Sequence, residues 1–400
     1  MDFRLTEEEK LIRDTAAQFV QRELVARERD YLRQEELFLP PGAPPLRELD
    51  PEVKATLTKI ARRVGLWALE LPPWSSTGTP VERNPEHEPT AKAGARAEGS
   101  DDAEAMSAVA RVLIHREFGR TILPFEPACI PGLMRMSNRA ADLAAGKLSL
   151  ALAFDQVHKT GTLEGITTRF RQVSDGYTLG RTAIDVIDPA ADLFLFPARE
   201  EGSSRAGIFL LDRETPGFSI SAGADLTADR SVGKMTLQEG KVPNEQLLGY
   251  EYQVQEIIAV EQLRIAARAL GIAMRCLADS IEHARNRVTF GRPLATRQAI
   301  QWMLADLSID LRTCTWLTLE AAWRADHELP YFEEAALAKK RAAKMAFEAG
   351  DTGIQIHGGY GVCKEFPFEG FYLEARLLRL LYGRESEMDR AAGTKFLSAE

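Results

Sequence analysis

From Val254 to Asn286 the chain reads VQEIIAVEQLRIAARALGIAMRCLADSIEHARN, with apolar residues at helical spacing, no proline and one glycine, Gly271. A run of that length and period predicts one long helix. Its apolar face has to be covered by other elements along its length. Two further helical patterns follow it, from Thr296 through Ala325 and from Glu333 to about Ile354. The glycines Gly358, Gly359 and Gly361 then interrupt, before a last helical portion. The region ahead of the long helix differs. Between about Leu148 and Leu248 the runs LSLALAF, GITTRFRQV, YTLGRTAIDV, DLFLFPA, AGIFLLD and KMTLQ are short, rich in β-branched and aromatic residues, and separated by Gly, Asp and Pro. They predict strands, with hairpin turns at Gly180, Gly207 and Gly217. Helices, then strands, then helices imply α+β layers and not an alternating parallel sheet.

The first block is helical as well. Thr6 followed by Glu9 is a capping box, and Leu11, Ile12, Ala16, Phe19 and Val20 recur at helical spacing. A second helix is predicted over Pro51 to Arg63, with Gly65 as its stop, and another over Ala105 to Glu117. Between them PPWSSTGTPVERNPEHEPTAKAGARAEGSDD breaks all periodicity and reads as a mobile loop insertion over 72–102. The expected organisation is an N-terminal helical domain over 1–147, a middle β domain, barrel or sandwich, over 148–249, and a C-terminal helical bundle over 250–400.

Charge and composition narrow the function classes. A net charge of −9 argues against broad nucleic-acid or anionic-membrane binding, since both need basic surface. No apolar run is long enough to span a bilayer, and MDFRLTEEEKLIRD is charged from its start, so a cytoplasmic location is expected. Cys129, Cys276, Cys314 and Cys363 are scattered and read as reduced thiols, and no His or Cys cluster suggests a metal site.

Two motif blocks carry more specific information. The first is Arg287-Val-Thr-Phe290-Gly291-Arg-Pro293-Leu294, followed by Gln298-x-x-Gln301 and Leu304-Ala305-Asp306. The second is Gln355-Ile-His357-Gly358-Gly359-Tyr360-Gly361, then Lys364-Glu365-Phe366-Pro367 and Ala375-Arg376. In this order and spacing the pair resembles the acyl-CoA dehydrogenase family. The N-terminal helix, Phe118-Gly-Arg120-Thr121 with Pro124-Phe125, and the Gly180 hairpin extend the resemblance over most of the chain. It implies a helical domain, a middle β-barrel and a C-terminal four-helix bundle. It also implies FAD, bound across a subunit interface of a tetramer. Carried over by position, Arg287 contacts the pyrophosphate, where a guanidinium matches phosphate oxygens by paired hydrogen bonds. Phe290, Leu294 and Arg297 of the same segment border the adenosine, and Gln298 is a further cofactor-binding residue. Gln355 and Gly359 meet the flavin of a neighbouring subunit, and the glycines at 358, 359 and 361 allow close backbone approach.

The implied reaction removes the proton next to a thioester with a carboxylate while the flavin takes a hydride from the neighbouring carbon. The family's usual base, a Glu before a Gly in the last loop, corresponds here to Tyr382, followed by Gly383. A minority of the family places its Glu on the long helix, ten positions before the helix glycine. Ten before Gly271 is Glu261. Ile257 and Ile265 flank it at i−4 and i+4, so an apolar setting and a raised pKa are expected. The competing expectation is a solvated pair with Arg264 or Arg268. Glu385 and Glu387 are fallback positions, and Gln262 stands where the family usually has Arg. In the middle domain, Phe154-Asp155-Gln156-Val157-His158 and Ile184-Asp185-Val186 replace the family's hydroxyl-bearing segments; His158 is read either as a polar substitute or, as is commoner for a lone loop histidine, as a surface residue.

The resemblance implies α,β-dehydrogenation of an acyl-CoA in fatty-acid or other lipid catabolism, with electrons passed to an electron-transfer flavoprotein. The departures leave room for a subunit of an α2β2 assembly acting on steroid side-chain or cyclic acyl groups, for flavin monooxygenation, or for a non-catalytic scaffold.

Overall fold

The computed structural model describes residues 4–33, 49–69, 106–127, 130–226 and 230–398. The loop insertion expected over 72–102 lies outside them. Helix α1 (Glu7–Phe19) opens on the predicted capping box: Thr6 Oγ1 accepts from the Glu9 amide at 3.1 Å, and Glu9 Oε2 accepts from the Thr6 amide at 2.7 Å. A π-helical stretch over Val20–Val25 carries it into α2 (Ala26–Arg33). Helix α3 (Pro51–Arg63) starts where the Asp50 carboxylate accepts from the Glu52 amide at 2.8 Å. Helix α4 (Ala108–Phe118) has a second cap from far away in sequence. The Asp326 carboxylate accepts from the Ala108 and Val109 amides at 2.5 and 3.0 Å.

After the short α5 (Ala140–Ala144) come β1 (Leu150–Leu152), α6 (Asp155–His158), β2 (Arg169–Val173), β3 (Gly176–Leu179) and β4 (Thr182–Ile187). They are followed by β5 (Leu193–Glu200), β6 (Ala206–Asp212), β7 (Phe218–Leu226), β8 (Arg230–Leu237), β9 (Gly240–Val242) and β10 (Leu247–Tyr250). One sheet runs β10-β6-β5-β2-β3-β9 with β1 also on β5, and the other runs β4-β8-β7. Both line one aromatic core. Phe170, Tyr177, Phe194, Phe196 and Phe209 come from the first sheet, and Ile184, Val186, Met235 and Leu237 from the second. The expected barrel therefore takes the form of two sheets closed on one interior. The YTLGRTAIDV run is divided at Gly180, with β3 in one sheet and β4 in the other. Gly217 (φ +77°) makes a turn, but it joins β6 to β7 of the other sheet and not the two strands of a hairpin. Gly207 does not; it lies inside β6, where an added Cβ would stand 3.0 Å from Leu247 and 3.3 Å from the Phe170 ring.

The long helix is α7 (Glu251–Asn286). A hairpin of β11 (Val288–Thr289) and β12 (Arg292–Pro293) leads to α8 (Gln298–Asp326), α9 (Phe332–His357), α10 (Phe368–Leu378) and α11 (Glu385–Ser398). Helices α7 to α10 form the bundle, with α9 against the other three. Its packing rests on small side chains: Ala338, Ala342, Ala346 and Ala349 of α9 and Ala266, Ala269 and Ala273 of α7 are all buried. Helix α4 crosses α7 at two glycines. A Cβ on Gly271 would stand 2.1 Å from the Arg116 carbonyl oxygen, and one on Gly119 2.2 Å from that of Arg268. Among the described residues no helix is long and apolar enough to cross a membrane.

Candidate active site

The two motif blocks meet at one end of the bundle. The Arg287 guanidinium lies over the Tyr360 ring, 5.7 Å from its centroid, and the His283 and His357 rings stand 4.2 Å apart beside it. Arg287 is exposed. The turn after it is held by the Leu294 amide donating to the Arg287 carbonyl at 2.7 Å and by Arg297 Nη2 donating to the Thr289 carbonyl at 2.8 Å. Phe290, with φ +47°, leaves its ring 97% exposed. Leu294 and Arg297 are half-buried, and Gln298, Gln355 and Gly359 are exposed. The glycines divide by role. Gly358 (φ +59°) ends α9, and a Cβ there or on Gly359 would meet nothing within 4 Å. Gly361 is required by the chain itself, since its Cβ would stand 2.6 Å from the Ile354 carbonyl oxygen. Open backbone and an exposed guanidinium stacked on an aromatic ring suit a phosphate-bearing aromatic ligand.

A second constellation surrounds the turn at Tyr382. Tyr382 has φ +47°, a left-handed conformation disfavoured for a bulky side chain, so its surroundings must impose it. Three elements do so. Gln262 Nε2 of α7 donates to the Tyr382 carbonyl at 2.9 Å and to the Gly161 carbonyl at 3.4 Å. His158 of α6 accepts the Tyr382 amide at Nδ1 (3.3 Å), and its own carbonyl accepts the Gly383 amide at 3.1 Å. Lys339 of α9 donates to the Gly383 carbonyl at 2.6 Å. The buried Tyr382 ring packs against Phe154 and edge-on to His158, 4.8 Å between centroids. His158 is therefore a structural partner of this turn and not a surface residue. Burial first, and the Lys339 charge second, hold its pKa down at about 4. Ile184 and Val186 point into the β core, and Asp185 pairs with Lys234 at 3.1 Å.

Glu261 is the next residue along α7 from Gln262 and is 3% exposed. The apolar setting and the arginine partner, expected as alternatives, are both present there. Ile257 and Ile265 are buried beside it, and its carboxylate also pairs with Arg264, accepting from Nε at 3.0 Å and Nη2 at 2.5 Å. Glu261 is buried and Arg264 half-buried, so the pair is not the solvated one expected. Arg264 also donates to Glu126 at 2.8 Å. Arg268, one turn on, pairs with Glu126 and with Glu374 of α10, and donates to the Phe118 carbonyl at 3.1 Å. The result is an alternating chain of carboxylates and guanidiniums between α7, the segment after α4, and α10. His115 of α4 lies next to it, uncharged: burial first and Arg264 second push its pKa down to about 3. The fallback carboxylates stand apart, Glu385 paired with Arg379 at 2.5 Å and Glu387 with Arg390 at 3.0 Å.

Sequence reading missed Gln262 as a clamp and Lys339 altogether. A signal existed for Lys339. It lies four after Ala335 and three before Ala342 in a helix whose alanines face inward, so its spacing puts it on the buried face.

The family profile "Acyl-CoA dehydrogenase, C-terminal domain" matches residues 249–395. Probable acyl-CoA dehydrogenase YngJ of Bacillus subtilis (strain 168) is 34% identical over 197 residues, 48% of this chain and 52% of that protein. The chain thus spans about half the length of the curated relative it matches. The three-dimensional structure of butyryl-CoA dehydrogenase from Megasphaera elsdenii superposes with a TM-score of 0.75 at 21% identity, over 99% of this chain and 100% of that one. The ChsE4–ChsE5 complex from Mycobacterium tuberculosis contains a chain that superposes with a TM-score of 0.75 at 21% identity, over the whole of both chains. These two likenesses establish the shared fold. The matched domain, the YngJ similarity and the two motif blocks gathered at one end of the bundle together identify residues 249–395 as an acyl-CoA dehydrogenase C-terminal domain.

Proposed function

We propose that the chain is an FAD-dependent acyl-CoA dehydrogenase in which Glu261 accepts the α-proton of the acyl thioester. The observation that carries this reading is the burial of the Glu261 carboxylate one residue from Gln262, which touches the Tyr382 turn where the family's usual base falls. A carboxylate at that point of α7 reaches the same neighbourhood from the helix that the family's usual Glu reaches from the loop. Arg287, exposed over the Tyr360 ring, would hold the pyrophosphate, Gln355 and the open backbone at Gly358 and Gly359 would receive the dinucleotide of a neighbouring subunit, Phe290, Leu294 and Arg297 would border its adenosine, and Gln298 would add a further cofactor contact. When bound, FAD supplies the two-electron acceptor for the hydride leaving the β-carbon. The chain's part is to exclude water, hold the thioester, and take the proton on Glu261 once Arg264 has released it. Electrons then pass to an electron-transfer flavoprotein.

Assembly follows from the same reading. Trp302, Ile309 and Trp316 stand seven residues apart on α8 and are 60%, 62% and 49% exposed, an apolar stripe suited to a helix of another subunit. A second reading makes this chain one partner of an α2β2 dehydrogenase. It is favoured by the turn at Tyr382, where a buried ring clamped from three elements stands in place of the usual carboxylate.

The test is spectroscopic. The purified chain is expected to carry an FAD spectrum that an acyl-CoA bleaches anaerobically. Glu261→Gln should retain the flavin and slow bleaching by roughly a hundredfold or more. Unchanged bleaching would remove Glu261 from the reaction. A chain that holds flavin only with a companion subunit would support the second reading.

A further inference from the structure

The last turn of α7 carries a histidine that the chemistry at Glu261 does not use. His283 stacks on His357 of α9, with ring centroids 4.2 Å apart and planes tilted by 32°. His357 is buried between α7 and the rings of Phe366 and Phe368. Its Nδ1 lies 2.8 Å from the Gly353 carbonyl, which can only accept, so Nδ1 carries the proton and the ring is held in one tautomer. His283 is half-buried, and among the described residues its ring nitrogens make no hydrogen bond. It stands one helical turn before Arg287, which reaches over Tyr360. These groups sit at the negative end of a 36-residue helix, where a phosphate needs cations to offset the last carbonyls. The titratable groups around His283 are Asp279 and Arg287 on α7, His357 on α9 and Tyr360 after it. Asp279 has both carboxylate oxygens engaged by Arg275, at 2.9 and 2.8 Å. Burial first, then His357 and the Arg287 charge, hold the His283 pKa below the usual histidine value, so the ring is uncharged at pH 7.

We propose that His283 is a second phosphate-binding residue beside Arg287 and that it takes up a proton when the pyrophosphate of the dinucleotide arrives. An anion on Arg287 cancels the repulsion that disfavours the imidazolium and adds attraction for it. His283 therefore gains a charge only when there is a phosphate to receive it, and Arg287 is spared a permanent cationic neighbour in the empty site. His357 is the platform that keeps the imidazole beside Arg287 in both states. The linkage has a definite sign. Between the lower pKa of the free site and the higher one of the loaded site, binding consumes a proton, so FAD binds more tightly as pH falls through that interval. The FAD pyrophosphate is a diester, ionised on both phosphates throughout this range, so the proton resides on the protein. The inference rests on the dinucleotide site placed at Arg287 above.

The test uses the full chain with any companion subunit, titrated with FAD by calorimetry at pH 6, 7 and 8. At pH 7 the titration is repeated in buffers of different ionisation enthalpy, and the slope of observed heat against that enthalpy counts the protons exchanged. Uptake of a fraction of one proton per FAD is expected, with binding about threefold or more tighter at pH 6 than at pH 8, as a charge-assisted phosphate contact supplies. His283→Gln should bind FAD without proton uptake and at the weaker, pH 8 level throughout. His283→Arg, a fixed cation, should also lose the uptake but bind at the tighter level. No uptake in the wild-type protein, tighter binding at pH 8, or uptake unaltered in either variant would overturn the proposal. FAD binding without proton uptake removes this inference and leaves the dehydrogenase reading in place. Uptake as expected, with no bleaching of the bound flavin by any acyl-CoA, removes the dehydrogenase reading and leaves His283 in its role. A chain that takes no FAD at any pH removes both.

Discussion

Lys339 and Glu261 show how one buried charge differs from another. Glu261 is compensated by a guanidinium one turn along its own helix. Lys339, 1% exposed, has among the described residues only carbonyls within hydrogen-bonding reach, those of Gly383 at 2.6 Å and Arg379 at 3.4 Å. Burial lowers its pKa to about 7, with Glu385 opposing the shift. The consequence for stability has a definite sign. Between pH 7 and the ordinary lysine value the unfolded chain binds a proton that the folded chain lacks, so stability rises with pH across that window. Below pH 7 both states are protonated, and the cost of burying the ammonium is present in full. In Lys339→Met the slope of unfolding free energy against pH from 7 to 9 should fall by up to one proton, about 1.4 kcal/mol per pH unit. Urea unfolding of wild type and variant at pH 6, 7, 8 and 9 measures it; parallel curves would contradict the assignment.

At the scale of elements, the crossing of α4 on α7 determines where the charged chain lies. Gly119 and Gly271 let the two backbones approach closely, and the side chains of both helices are placed by that contact. An added methyl on Gly271 meets backbone atoms of Arg116 and Gly119, which cannot turn aside as a side-chain tip does. Gly271→Ala should therefore destabilise by roughly 1–3 kcal/mol and lower the denaturation midpoint. Gly393→Ala, where an added Cβ meets nothing within 4 Å, should cause no such loss. Equal midpoints for the two variants would mean that the helices separate without cost.

For the whole molecule, the exposed stripe on α8 and the open backbone at Gly358 and Gly359 both look outward, as a flavin site completed by another subunit requires. The protein is accordingly expected to sediment as a multimer. Trp302→Glu with Trp316→Glu, two charges placed on the stripe, should shift it toward monomer and release flavin in parallel. Analytical ultracentrifugation with absorbance at the flavin band follows both. A variant that dissociates yet keeps its full flavin content would argue for a site contained in one chain.

Local pattern alone determined the course of the backbone. The capping box at Thr6 and Glu9, the α3 limits and the run from Val254 to Asn286 follow from cap chemistry and apolar period, both decided within a few residues. The motif blocks at Arg287 and Gln355 were equally legible, because each is contiguous. Partnership was not. That Glu261 lies on an inward face could be read from its isoleucine neighbours, but its Arg264 is shared with Glu126, 138 residues away. Asp326 caps a helix 218 residues before it, and Lys339 meets a carbonyl 44 residues beyond. Helical period specifies which side chains turn inward. It carries no information about which charges from other elements are waiting there, and that was decided only when α4, α7, α9 and α10 packed together.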